Sequence, residues 1–324
     1  MNYALMTFLY NFFDLGCFLW SMQLFGLKEG SIIFVFAKIG RLSVETIKVK
    51  SFHIVFGVFF FGIVLGIISV YTTWLFTCLG APFVIFGISK IREYFGILEK
   101  PPRRYKILSR MVGFCLAPLF NFWVLIPFFC YLAFSLRNQN EIKSERRAPL
   151  FPYLEQHEWQ YTLLITHQIH YFAYAFLVPY TACAIFNVNI MFAGIIFFIG
   201  WGAYNLYEKI LAHKLKYVAY GHFIAGFGVC IILFFQQSLL ALIIGWFITG
   251  IGGGTFYIIK SKLPDDIGKA EVVELWGQLL GMALFAIGVN FANSSYLYFS
   301  AIIFATATSV IALFLEKDYV RNNS

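Results

Sequence analysis

The 324-residue chain is 60% hydrophobic, 20% aromatic and only 12% charged, with a formal net charge of +8. A soluble domain carries roughly a quarter of its residues charged, so this composition excludes a water-soluble globular fold. The Lys and Arg residues cluster in short loops on one side, as the positive-inside rule requires, and this accounts for the net charge without a nucleic-acid partner.

Between the charged blocks lie apolar stretches of about 17–25 residues, the length that crosses ~30 Å of hydrocarbon. Lipid offers backbone amides no partner, so such stretches are helices. A transmembrane barrel reads as short alternating segments, a pattern the chain lacks. In chain order the runs predict helices at 4–25, 27–43, 53–70, 72–90, 106–121, 123–136, 160–183, 188–206, 216–235, 238–258, 272–291 and 296–316. Met1–Leu24 does not read as a cleavable signal, because it lacks a basic start and carries Asp14 mid-run.

The run 106–136 is long for one span and short for two. Charge decides. Two spans place the basic segments 44–52, 91–105, 137–159, 207–215, 259–271 and the C-terminus on one side, leaving Lys28 and Glu29 on the other. The expectation is therefore an all-α membrane protein of about twelve transmembrane helices with both ends cytoplasmic, in a prokaryotic inner membrane. Pro118, Asn121 and Pro127 supply the break, and two half-length helices buried by neighbours are the alternative. The long polar stretch 137–159 (RNQNEIKSERRAPLFPYLEQHEW) divides the chain. Residues 1–136 form an N-terminal six-helix bundle, 137–159 a cytoplasmic linker and 160–324 a C-terminal six-helix bundle. That layout puts a substrate site between two pseudo-repeats at mid-membrane.

Four local patterns carry a resemblance. Gly40-Arg41-Leu42-Ser43-Val44-Glu45-Thr46-Ile47-Lys48-Val49-Lys50 follows the second helix, with Val44 where an acid is expected. Tyr204-Asn205-Leu206-Tyr207-Glu208-Lys209-Ile210-Leu211-Ala212-His213-Lys214 occupies the matching place in the other half. Gly113-Phe114-Cys115-Leu116-Ala117-Pro118 lies in the fifth helix. The glycine-rich stretch Gly245–Gly254 leads to Lys260, Leu263-Pro264-Asp265-Asp266 and the start Trp276-Gly277-Gln278. Together these resemble the major facilitator superfamily of secondary transporters, in a short and degenerate form. The resemblance implies two six-helix bundles, gating loops at Gly40, Arg41, Glu208 and Lys209, and an exporter-type helix-five motif at Gly113 and Pro118. It implies a proton-coupled exchanger working as a monomer on a small-molecule substrate.

Asp14 is the one acid well inside a predicted helix, and it shares a helical face with Asn11 and Ser21. A charge at that depth costs ~2.5–3.5 kcal/mol on insertion scales, and burial favours the neutral form, which suits a proton carrier. His167 and His170 stand one turn apart beside Gln168, Tyr171 and Tyr174. A His pair at that spacing can hold metal, but no Asp, Glu or Cys stands three or four residues from either, so no metal site is expected. Asp14, His167 and His170 are the expected proton-coupling residues. Asn11, Gln168, Tyr174 and Gln278 are the expected cavity lining, with Tyr10, Trp20 and Trp276 as further aromatic candidates. His222 reads as similar but alone. The six cysteines lie in apolar runs and read as small hydrophobes.

The chain has no P-loop, G-x-S-x-G, H-E-x-x-H or EF-hand, so neither an enzyme nor a cofactor is indicated. The sequence reads as a secondary transporter working by alternating access. The alternatives are a non-transporting protein of the same fold, serving as assembly factor or receptor, and a lipid-modifying enzyme using His167, His170 and His222.

Overall fold

Gly26 sits at φ 103°, a left-handed backbone that only glycine adopts freely, and it turns α1 (Asn2–Phe25) directly into α2 (Leu27–Thr46). The computed structural model in which this turn is seen describes residues 2–99, 102–139, 149–151, 158–206, 214–261, 267–291 and 293–323. These residues are overwhelmingly helical, with no strand among them. The chain divides into two compact units, Met1–Leu150 and Phe151–Ser324.

In the first unit α3 (Phe52–Ser69), α4 (Trp74–Glu99), α5 (Arg103–Leu116) and α6 (Leu125–Ser135) follow. The first helix packs on α2, α4 and α5, while α2 and α3 both pack on α4. Helix α4 runs nine residues beyond the predicted end at 90. Its last residue, Glu99, accepts the amide protons of Asn2 and Tyr3 at 3.1 Å each and so caps the start of α1.

The run 106–136 runs out along α1 and returns. Lys106 lies 5.3 Å over the Tyr3 ring, Phe120 packs on Phe12 and Phe13, Phe128 comes back to Phe8, and the Tyr131 hydroxyl reaches Asn2. The reversal is made by two 3-10 turns, Ala117–Leu119 containing Pro118 and Phe122–Val124. The Asn121 side chain accepts the Val124 amide proton at 3.1 Å. Pro127 lies after the reversal, in the first turn of α6, where a missing amide proton costs nothing.

The second unit contains α7 (Glu158–Phe172), α8 (Leu177–Ala184), α9 (Ile190–Leu206), α10 (Leu215–Phe234), α11 (Leu239–Gly253), α12 (Phe256–Ser261), α13 (Ile267–Phe291) and α14 (Ser294–Asn323). Two predicted helices are broken. The span 160–183 is interrupted at 173–176, ahead of Pro179, and 238–258 is interrupted at Gly254 and Thr255. Consecutive glycines have poor helix propensity, and the Thr255 hydroxyl donates to the Gly252 carbonyl at 2.9 Å, competing with the helical ladder.

The twelve predicted spans are therefore not twelve uniform helices. Among the described residues seven helical segments are long and apolar enough to cross a membrane alone, α11 and α12 counting together as Leu239–Lys260. Helix α2 is excluded by its charges, and α5 to α9 are short.

Helix pairs touch through glycines. A Cβ added at Gly62 would lie 2.8 Å from the Gly80 carbonyl, and one at Gly80 would lie 2.7 Å from the Gly62 carbonyl. Gly228 and Gly245 stand in the same reciprocal relation between α10 and α11, at 2.5 and 2.6 Å. Lipid provides no hydrophobic drive between helices, so close backbone approach of this kind supplies the packing energy. In the first unit α1 pairs with α5, α2 with α4, and α3 with α4. In the second, α7 pairs with α13, α9 with α11, and α10 with α11.

Candidate functional site

In the first unit, Tyr3, Thr7, Tyr10 and Asp14 recur at three- and four-residue steps and so share a face of α1. Asp14 is 7% exposed and is not a lone carboxylate: the Lys38 ammonium, 3% exposed on α2, donates to both of its oxygens at 2.7 and 2.9 Å. Lys38 also lies 5.3 Å over the Phe34 ring. One turn on, Arg41 pairs with Glu45 at 2.5 Å, and Lys90 on α4 pairs with Glu93 at 3.3 Å. The Arg92 guanidinium lies 4.1 Å over the Tyr10 ring.

This network was only half legible. Lys38 falls inside the predicted helix 27–43 and Arg92 in the predicted basic loop 91–105. The signal that could have found it is the spacing Lys38, Arg41, Glu45, which puts three charges on one side of α2. The acid expected at 44 stands one residue later: Val44 is buried, and Glu45 takes the ion pair.

The other first-unit residues lie at helix contacts. Gly40 lies against the backbone of Pro82, and Gly113 against the Phe8 carbonyl of α1. The Asn11 amide donates to the Thr7 carbonyl of its own helix at 2.6 Å, and its Cβ faces Gly113, so it turns from Asp14 toward α5.

In the second unit, His167 and His170 on α7 meet His222 on α10, which is not alone. His222 Nδ1 lies 2.8 Å from the Val218 carbonyl, and His170 Nδ1 lies 2.8 Å from the Ala301 carbonyl of α14. A carbonyl only accepts, so both Nδ1 atoms carry protons. His222 Nε2 is then an acceptor, and His167 Nδ1 donates to it at 2.7 Å. His167 stacks on Phe256 with ring centroids 4.9 Å apart. His170 packs against Tyr171 and Tyr174, and its Nε2 and the Tyr171 hydroxyl are buried without hydrogen-bond partners.

Gln168 is buried, with Gly277 packed on its Cβ. Gln278 does not join this cluster: its amide donates to Glu274 at 3.3 Å, and Glu274 pairs with Lys260 at 2.7 Å. Trp276 stacks on Phe151. Glu208, Lys209 and residues 263–266 lie outside the described residues. Among the described residues no group of three or more His, Cys, Asp or Glu is arranged to hold a metal ion.

No protein-family model matches the chain, and no curated protein matches its sequence. Solved structures do match. A bacterial metal transporter superposes with a TM-score of 0.64 at 12% identity, covering 97% of this chain and 98% of that one. A bacterial homologue of the iron transporter ferroportin, in its inward-facing state, gives the same values. Its outward-facing state gives a TM-score of 0.53, covering 97% and 99%. The chain has the fold of these transporters. With seven apolar helical segments long enough to span, it is an integral membrane protein. At 12% identity the likeness carries the fold and no residue roles.

Proposed function

We propose that the protein is a secondary active transporter of the major facilitator type, moving a small molecule by alternating access with proton coupling in the export direction. The observation that carries this reading is the buried Asp14–Lys38 pair between two membrane helices. A carboxylate paired with an ammonium in low dielectric holds two helices together, and protonating it dissolves that attraction. Such a pair is a two-state element that a proton biases. His167 and His170 are the second-unit counterparts, since His170 offers an unpartnered ring nitrogen inside the protein.

The fold likeness to structures solved in both inward- and outward-facing states supports alternating access. The parallel helix pairings of the two units support a pseudo-repeat of residues 1–136 and 160–324 joined by the linker 137–159. The basic segments support cytoplasmic termini in a bacterial inner membrane, and Gly113 with Pro118 supports export. One chain supplies both units, consistent with a monomer. Gly40, Arg41, Glu208 and Lys209 remain the gating residues of this reading, and Tyr174 its cavity residue.

The matched structures are of metal transporters. Here the Asp14 carboxylate that would attract a cation is already taken by Lys38, which favours a solute other than a metal ion. A lipid-modifying enzyme needs its histidines at an interface, whereas His167, His170 and His222 are 0–1% exposed.

The test is proton flux in liposomes carrying the purified protein under an imposed pH gradient, with a panel of solutes. Substrate-dependent proton movement in wild type, lost in Asp14→Asn, is the expected result. Equal movement in both removes Asp14 from coupling.

A further inference from the structure

Around Asp14 the charges do not balance. Several charges are accounted for at helix ends: Lys28 and Glu29 begin α2, Glu99 caps α1, and basic residues fill the first turn of α5. In the rest of α1, α2 and α4, four cations (Lys38, Arg41, Lys90, Arg92) stand against three carboxylates (Asp14, Glu45, Glu93). Lys38 takes Asp14, Arg41 takes Glu45 and Lys90 takes Glu93. Arg92 has no carboxylate in ion-pair range among the described residues. It lies on the Tyr10 ring, and Arg41 and Arg110 are close enough for their charges to repel its own.

A cation in a membrane helix without a counter-charge is costly, and its partner has to come from somewhere. The guanidinium carbon lies 4.1 Å from the Tyr10 ring centroid, and no N–H of Arg92 has an acceptor among the described residues, which leaves room for a two-oxygen acceptor. Two hydroxyls lie one helical turn from these residues along α4 and α1. Ser89, one turn before Arg92, and Thr7, one turn before Tyr10, are 2% and 3% exposed, and neither hydroxyl has a hydrogen-bond partner. A buried donor without an acceptor is rare and calls for one.

We propose that Arg92, seated on Tyr10 and near Arg41 and Arg110, anchors a binding site for an oxyanion (a carboxylate or phosphate group), with Ser89 and Thr7 as flanking donors. As a cargo site it rests on the transport reading above, and it makes that cargo anionic. As a binding site it stands without that reading. The same chemistry could come from a free solute or from the headgroup of an anionic lipid.

The test uses the full chain, purified in neutral detergent. Its unfolding midpoint is followed against inorganic phosphate, with chloride at matched ionic strength as control. The expected result is a saturable rise with phosphate alone. Arg92→Gln weakens the half-saturating concentration about ten- to hundredfold, the loss of a charge-assisted hydrogen bond. Arg92→Lys preserves the half-buried charge, and hence the fold, but not the two-pronged geometry, so it weakens binding severalfold. No phosphate-specific rise in wild type, or the same rise in all three proteins, overturns the site for a free solute. Nanodiscs with and without phosphatidylglycerol supply the second arm. An Arg92-dependent rise with that lipid alone keeps the site and assigns it to a headgroup, and no rise in either arm overturns it altogether. Arg92-dependent binding without solute flux in liposomes removes the transport reading and leaves the site.

Discussion

Removing a carboxylate and an ammonium from water costs several kcal/mol per ion, so the Asp14–Lys38 pair persists only while each satisfies the other. Lys38→Met should strand Asp14 and destabilise the protein by about 3–5 kcal/mol. The double variant Asp14→Asn with Lys38→Met removes both charges and should recover most of that loss. Unfolding midpoints of the single and double variants in detergent decide it, and simple additivity would mean the pair is not coupled. The histidines make a second case. His222→Phe takes away the acceptor of His167 Nδ1 and should cost about 1–3 kcal/mol, whereas His53→Phe, at an exposed position, should stay within about 0.5 kcal/mol. The same unfolding measurement checks both. Asp14 and the His167–His170 pair could be seen in the sequence because a polar group in an apolar run stands out. Their partners could not: Lys38 is 24 residues from Asp14 and His222 is 55 from His167, and no local spacing encodes such contacts.

Helices in this protein are set by where their backbones touch. At Gly245 an added methyl would meet the Gly228 carbonyl at 2.6 Å, so Gly245→Ala must push α10 from α11 and should cost about 1–3 kcal/mol. Gly57 on α3 has nothing within 4 Å of such a methyl, and Gly57→Ala should be neutral or stabilise by up to about 1 kcal/mol through helix propensity. Comparing the two variants by thermal unfolding checks whether the glycine contacts or glycine content as such set stability. Hydropathy located most helices because long apolar runs dominate the chain. It could not show the interruptions at 173–176 and 254–255, which lie inside continuous apolar sequence. It also ended α4 early, since Arg92 and Glu93 read as loop charges until Tyr10 and Lys90 are seen beside them.

For the whole molecule, orientation follows from charge: the linker 137–159 and both termini should face the cytoplasm. A cysteine placed by Glu145→Cys in a background without the native cysteines should resist membrane-impermeant reagents added to intact cells, and react only after permeabilisation. Labelling in intact cells would invert the topology. The division of the chain was legible because its longest polar stretch lies near the boundary between the two units at residues 150 and 151. The cargo was not, because it depends on which side chains converge in space.

The returning pair α5 and α6 bears on how the protein is made. Helix α5 holds four basic residues in its 14, and α6 has only 11 residues, about 16 Å of helix. A Lys or Arg carried to the bilayer centre opposes insertion by about 2.5–3.5 kcal/mol, so a helix as short and basic as α5 has little reason to leave the translocon for lipid by itself. The tip of the hairpin is received by Gly16 of α1, against Phe120, and by Gly66 of α3, against Phe122. Those seats exist only once α1 and α3 are in the bilayer. The ribosome must therefore finish α6 before α5 can settle, and entry of the pair as a unit becomes the closing step in the biosynthesis of the first half.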